Sequence, residues 1–516
     1  MGLSMRRMGA AIGAMMLACG PAMAEGVVHT AQGDVSGVTA GEVESFKGIP
    51  FAAAPVGELR WRPPGPALAW PGVRVADAFG PICMQGRGGF FGHMPMSEDC
   101  LTLNVWRPAG AALGAKLPVM VWIYGGAFVQ GGSSALFYDG THFAERGVVM
   151  VSFNYRLGRF GFFAHPALDA GPGPIANYGL MDQIAALNWV KRNIAAFGGD
   201  PNNVTVFGES AGAISVNDLM ASPAARGLFD KAISESGFGR SVPRPLKTAE
   251  GLGLSFAAAN GVKGDDAAAA AALRALPAEA LNAPISGLSD PAIPAPILDG
   301  QILTQGIEQA FAKGEEAHVP YLEGGNSYEA SLFPGVANAP NPVIDRAGDP
   351  AKVIALYGGQ PAPEVARELL TDTMITEPDR ELARQMARQG VPAFVYHFSY
   401  VPAALRAASF GAAHGSEIGY VFDNLPRQPF SYGGRDFPAA TPDDQKIADA
   451  MHAYWVAFAK TGDPGAAGGP AWPRYTVDGD QLLEFGADGV NVRSSFEKPR
   501  LDLLETDARR AAAAAP

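Results

Sequence analysis

The sequence predicts an α/β fold: a large, mostly parallel central sheet flanked by helices, with antiparallel strands at its N-terminal side. Two patterns carry this expectation. Near-continuous apolar runs, KLPVMVWIYGG (116–126) and GVVMVSFNYR (147–156), end in glycine or polar residues. Strands of that kind are covered on both faces, as in a parallel sheet between layers of helix. Around them lie segments whose apolar residues recur at helical spacing. Ahead of both, VVHTAQGDVSGV and VESFKGIPFAAAP alternate and turn often, in the manner of an antiparallel hairpin or short meander.

The elements follow in order. LTLNVWRP (101–108) has period two and reads as a strand. NYGLMDQIAALNWVKRNI (177–194) places Leu180, Ile184, Leu187 and Trp189–Val190 at helical spacing and ends at the turn-rich FGGDPNN. NVTVFG (203–208) is the next buried strand, and SAGAISVNDLMAS starts a helix immediately after it. KAISESG (231–237) begins another strand. From about 245 to 315 the chain is alanine-rich and helical by propensity, with PAIPAPILDG as a loop interruption. VPYLEGGN (319–326) and FVYHFSYV (394–401) are further strands. Between them PEVARELL and PDRELARQMARQG form a second helical excursion, at about 355–392. QKIADAMHAYWVAFAKTGDP (445–464) is a long helix stopped by Gly462 and Pro464. Residues 505–516 read as a flexible tail. The 516 residues would allow three domains of about 150, but no linker or internal repeat divides them. One domain over 25–504 is expected.

Composition narrows the function. The chain is 48% hydrophobic and 17% charged, too apolar for a disordered protein. Residues 1–24 combine Arg6 and Arg7, an apolar run from about Met8 to Cys19, and Ala22-Met23-Ala24. That is the pattern of a signal peptide cut before Glu25, and it predicts export to the periplasm or the medium. The run is too short to span a bilayer, and no integral span is expected after its removal. Without the leader, 37 basic face 51 acidic side chains, a net −14. Nucleic acid is not an expected partner for such a chain, because phosphate binding needs basic patches that release counterions. Three cysteines and eight scattered histidines suggest no zinc or iron–sulfur site. In an exported protein Cys83 and Cys100 can pair. Oligomeric state is not legible.

The strongest local signal is Gly208-Glu209-Ser210-Ala211-Gly212 between a buried strand and a helix. The glycines leave room for a sharp turn that lifts a serine hydroxyl from a strained backbone. The helix starting at Ala211 aims free N–H groups at the same spot. Upstream, Tyr124-Gly125-Gly126-Ala127-Phe128 follows an apolar strand and can present consecutive amides to an oxyanion. His414 lies among small residues in GAAHGSE, a loop suited to a base that reaches across a site. His452, in a helix beside Tyr454 and Trp455, and His397, inside a strand, read as structural. For the acid, Glu329 in GGNSYE competes with Glu323, Asp345 and Asp349.

At this point the chain resembles the type-B carboxylesterase and cholinesterase family of α/β-hydrolases. The resemblance rests on FKGIP (46–50), LRW (59–61), SEDCLTLNV (97–105), NYR (154–156), NYGLMDQ (177–183), FGGDPNNVT (197–205), the serine turn, HGSEI (414–418) and FAKTGDP (458–464). It covers nearly the whole mature chain. It implies a serine esterase with Ser210 as nucleophile, Glu329 as acid and His414 as base. This is the Ser, acid, His order of that fold. It implies oxyanion donors at Gly126, Ala127 and Ala211, with Ala127 standing where many relatives have glycine. It further implies a Cys83–Cys100 disulfide and ion pairs Arg60–Glu98 and Arg156–Asp182, with Glu209 and Ser236 beside the triad. No metal or organic cofactor is required.

Phe90, Phe91 and Phe128 are candidate pocket walls. The 83–100 loop lacks the tryptophan that stacks on quaternary ammonium in cholinesterases. The expected substrates are therefore uncharged carboxylic esters of short to medium acyl chain. The same triad would serve amides, carbamates or lactones, and a silent binding protein of this fold is a more remote alternative.

Overall fold

The computed structural model describes residues 26–87, 90–169, 175–282, 290–333, 335, 350–425 and 439–514. The leader lies outside them, as do Asp345 and Asp349.

Eleven strands form one sheet. In chain order they are β1 (Val38–Ala40), β2 (Val43–Pro50), β3 (Thr102–Pro108), β4 (Leu117–Ile123), β5 (Val149–Phe153), β6 (Gly199–Glu209), β7 (Lys231–Glu235), β8 (Tyr321–Asn326), β9 (Ala393–Phe398), β10 (Gln481–Gly486) and β11 (Gly489–Ser494). Their order across the sheet is β11-β10-β9-β8-β7-β6-β4-β5-β3-β2-β1. From β10 to β5 every neighbouring pair is parallel. The pairs outside that run, β10 with β11 at one edge and β1 to β3 and β5 at the other, are antiparallel. Val27–Thr30 and Gly33–Ser36 form the expected hairpin, extended by Val73–Val75. Every residue from Val119 to Ile123 and from Val149 to Phe153 is buried, as strands covered on both faces should be.

The helices that matter for the site are α1 (Tyr178–Asn193), α2 (Ala211–Ala221), α3 (Glu377–Arg388), α4 (Pro442–Thr461) and α5 (Lys498–Ala514). Helix α4 opens with a capping box between Thr441 and Asp444 and closes at Gly462, whose φ of 77° suits a glycine C-cap. It buries His452, whose Nδ1 lies 2.8 Å from the Val421 carbonyl.

Three expectations need correction. Strand β6 begins at Gly199, inside the segment read as a turn, and its register against β4 shifts between Gly199 and Val204. The glycine-rich turn signal there marks an irregularity in the strand. The PAIPAPILDG stretch contributes Ile297–Leu298, paired in parallel with Arg244–Pro245. The C-terminal residues expected to be flexible continue helix α5 to Ala514. Leu501 and Leu504 are buried in a small apolar cluster. Glu505 pairs with Arg384 of α3 and with Arg509. Alanine propensity together with these anchors holds the segment helical.

Cys83 and Cys100 form a disulfide with Cα atoms 5.0 Å apart. Closing a loop of this size stabilises the fold by about 3 kcal/mol in the chain-entropy account. Next to it, Arg60 holds Glu98 through Nε at 2.8 Å and Nη2 at 2.5 Å. The same guanidinium reaches the carbonyls of Arg274 and Leu276, so it also fastens the helical excursion. Arg156 grips Asp182 of α1 in two bonds of 2.8 Å. Removing one partner of such a buried pair strands a charge and typically costs about 3–5 kcal/mol.

Candidate active site

The C-terminal ends of parallel strands are where an α/β sheet builds its sites, because the loops there converge beyond the sheet edge. In this chain four adjacent strands deliver candidate residues. β4 leads into Gly125–Phe128, β6 into Ser210, β7 into Ser236, and β8 into Glu329.

Ser210 has φ 56° and ψ −123°, a strained conformation for a residue with a side chain. It persists because both sides are tied down: its amide donates to the Glu235 carbonyl at 2.9 Å, and its carbonyl accepts from Ile214 N at 2.8 Å. The flanking glycines are required sterically. A Cβ on Gly212 would stand 2.0 Å from the Ile123 carbonyl oxygen, and one on Gly208 2.6 Å from the same atom. The end of β4 thus packs directly against the turn.

That approach also brings in the donor loop. A Cβ on Gly125 would lie 3.0 Å from Ser210 Cβ. Gly126, Ala127 and Phe128 all have positive φ, at 106°, 55° and 63°. The loop thus runs through the left-handed region, which only glycine adopts without strain. Ala127 therefore keeps its amide in place at the expense of backbone strain that glycine would not carry. Gly126, Ala127, Ser210, Ala211 and His414 line one cavity.

Glu329 is fully buried on a short helical turn, Glu329–Leu332. Its Oε2 lies 2.5 Å from His414 Nδ1. Its Oε1 accepts from Ser236 Oγ at 2.5 Å and from the Asn326 amide at 2.7 Å. Ser331 Oγ accepts from the His414 amide at 3.0 Å, and Tyr328 pairs with Ala413 as an isolated bridge. The two loops are thus sewn together over a separation of 85 residues. Glu323, the rival acid, is fully buried within β8, where the charged group that acts on it is Asp379.

Glu209, expected beside the triad, approaches the His414 ring itself. Its Oε1 lies 3.0 Å from His414 Nε2, the nitrogen that would serve Ser210. Burial pushes the Glu209 carboxyl up to about 7 against the pull of His414. Burial alone would lower His414, but the Glu209 and Glu329 carboxylates raise it to about 10. Glu417, raised to about 8 chiefly by burial, accepts from the Asn326 side-chain amide. Glu235 accepts from Trp455 Nε1 at 2.7 Å. Sequence reading assigned no role to Asn326, Glu235 or Glu417. Only the position of Glu417 in HGSE hinted at one.

The cavity has a volume of about 800 Å³, and Phe91 and Phe128 line it together with Phe137, Phe238 and Ile214. The Phe90 side chain lies outside the described residues. Among the described residues no group of three or more His, Cys, Asp or Glu side chains could hold a metal ion, and no helix is long and apolar enough to cross a membrane.

Residues 24–346 and 360–504 match the Carboxylesterase family. The chain is 40% identical over 496 residues to the fumonisin B1 esterase of Sphingopyxis macrogoltabida, covering 91% of this chain and 89% of that one. It is 36% identical over 504 residues to the para-nitrobenzyl esterase of Bacillus subtilis (strain 168), covering 93% and 99%. Its fold matches that of a Geobacillus stearothermophilus carboxylesterase with a TM-score of 0.79 and 37% identity, over 92% of this chain and 100% of the other.

Proposed function

The chain belongs to the carboxylesterase family and is a serine hydrolase of carboxylic esters; from that premise we propose that Ser210 is its nucleophile, His414 its base and Glu329 the acid that orients the base. The observation that carries this reading is Ser210, held in a strained turn on the wall of the cavity that His414 also lines. His414 takes the hydroxyl proton as Oγ attacks the ester carbonyl. The oxyanion is held by the amides of Gly126, Ala127 and Ala211. His414 then protonates the departing alcohol, and water repeats the sequence on the acyl-enzyme. Glu329, with one oxygen on Nδ1 and the other saturated by Ser236 and Asn326, fixes the ring orientation.

A base must be unprotonated to act, and the carboxylates around His414 hold its proton on. The rate should therefore rise with pH along a limb displaced above the usual histidine value of about 6.5. Changing Glu209 to glutamine removes the anion at Nε2 and should move that limb back toward 6.5. Profiles of kcat/KM against pH for wild type and Glu209→Gln check this; an unmoved limb would show that Glu209 does not set the base.

The substrates proposed are uncharged esters of short to medium acyl chain. The wall of phenylalanine, isoleucine and proline supports apolar contact, and the Cys83–Cys100 loop contributes Phe91 but no tryptophan. A desolvated aromatic cage is worth about 2 kcal/mol or more to a quaternary ammonium. Without one, butyrylcholine should be no better than its uncharged isostere 3,3-dimethylbutyl butyrate. The comparison is kcat/KM at high salt, where long-range attraction by the net charge is screened. A preference above about tenfold for the charged ester would reveal a cation site.

We further propose export. The leader pattern supports it, as does the disulfide, which suits an oxidising compartment. Mature protein recovered outside the cytoplasm should begin at Glu25; an intact Met1 there would refute cleavage.

A further inference from the structure

Helix α2 brings more than the nucleophile to the cavity. Ser210 is its N-cap, and Ile214 and Asp218 follow at intervals of four, on one face. All three line the cavity. Asp218 is 1% exposed, and among the described residues neither of its carboxyl oxygens has a hydrogen-bond partner. Burial pushes its carboxyl well above the usual aspartate value. Burial without a partner favours its neutral form, which has one O–H to donate and a carbonyl oxygen to accept. Arg244, the arginine of the same wall, donates to the carbonyls of Pro291 and Ile293 at 3.0 and 2.9 Å. The ester mechanism gives Asp218 no task, and buried polar groups without partners are rare in folded proteins.

We propose that Asp218 is a specificity-determining residue that hydrogen-bonds a neutral hydroxyl carried by the ester about eight bonds from its scissile carbonyl. The inference rests on Ser210 being the nucleophile. Eight helical residues rise about 12 Å. Side chains lean back toward the helix N-terminus, which shortens the span to roughly 10 Å. At about 1.2 Å of reach per bond, as in an extended chain, that is eight bonds. A hydroxyl suits this acid because it accepts the acid's O–H and donates to its carbonyl, with no charge on either side. An ammonium would force the acid to ionise, and burial disfavours that charged form.

The test uses two series of esters, each pairing a terminal hydroxyl with a terminal methyl over a range of chain lengths. One series varies the acid of p-nitrophenyl esters and the other the alcohol of butyrates. In one series, near eight bonds, the wild type should prefer the hydroxyl ester by about tenfold or more in kcat/KM. Asp218→Asn, which keeps a donor and an acceptor, should retain a preference, and Asp218→Leu should reverse it. A wild type that prefers methyl-terminated esters at every length in both series would overturn the proposal, even if Asp218→Leu fails to fold. So would a hydroxyl preference that survives in folded Asp218→Leu, or a stronger preference for amine-terminated esters. Turnover of p-nitrophenyl butyrate by the wild type tests the parent reading separately. Its complete absence would remove that reading, whereas turnover without any hydroxyl preference removes only the role of Asp218.

Discussion

Replacing Ser210 with alanine is expected to abolish ester turnover and leave the protein folded. The loss in kcat should be about 10⁶, the size seen when a serine hydrolase loses its nucleophile and keeps only its oxyanion donors and binding. The fold should survive because the turn is held by main-chain bonds, Ser210 N to Glu235 O and Ile214 N to Ser210 O, neither of which involves the hydroxyl. The steric demands of the turn fall on Gly208 and Gly212. Turnover of p-nitrophenyl butyrate beside a thermal melt separates the two effects. More than a few per cent of wild-type rate in a cleanly purified variant would remove Ser210 from the mechanism.

The second large effect belongs to Glu329→Gln. A carboxylate can accept from His414 on one oxygen while accepting from Ser236 and Asn326 on the other. A glutamine cannot do both. Its N–H₂ must face either the ring, selecting the wrong tautomer, or the Ser236 and Asn326 donors, leaving clashing hydrogens. The analogous change in a serine protease triad costs about 10⁴ in kcat, and a similar loss is expected here with KM little changed. Glu323→Gln is the contrasting variant. Burial pushes that carboxyl well above its usual value and Asp379 raises it further, so its removal should alter stability more than chemistry. Equal catalytic damage from Glu323→Gln, with Glu329→Gln near wild type, would reverse the assignment.

Much of this architecture is written locally. The runs around Val119–Ile123 and Val149–Phe153 lack any polar face, and only a doubly covered strand accepts that. The serine turn is legible for the same reason: two glycines at fixed offsets answer a steric demand within five residues. The acid is harder to read. Glu329 and His414 lie 85 residues apart, and what distinguishes Glu329 from Glu323 is the loop that follows β8, not any pattern around either residue. Glu209 shows the same limit in another form. Its place in the motif is plain, but its 3.0 Å approach to His414 Nε2 depends on where a third loop arrives. At the C-terminus, alanine and charge read as a tail because the partner Arg384 lies on a distant helix. The start of β6 is masked by glycine and asparagine, which signal turns more strongly than they signal an irregular strand.

The central claim is that hydrolysis passes through an acyl group on Ser210. Intact-mass measurement after treatment with an active-site organophosphonate tests it most directly, because the reagent captures the nucleophile covalently. The wild type should gain one adduct, mapped to the peptide carrying Ser210, in step with loss of esterase activity, and Ser210→Ala should gain none. An adduct on another residue of an inactivated wild type, or equal labelling of the variant, would contradict the claim.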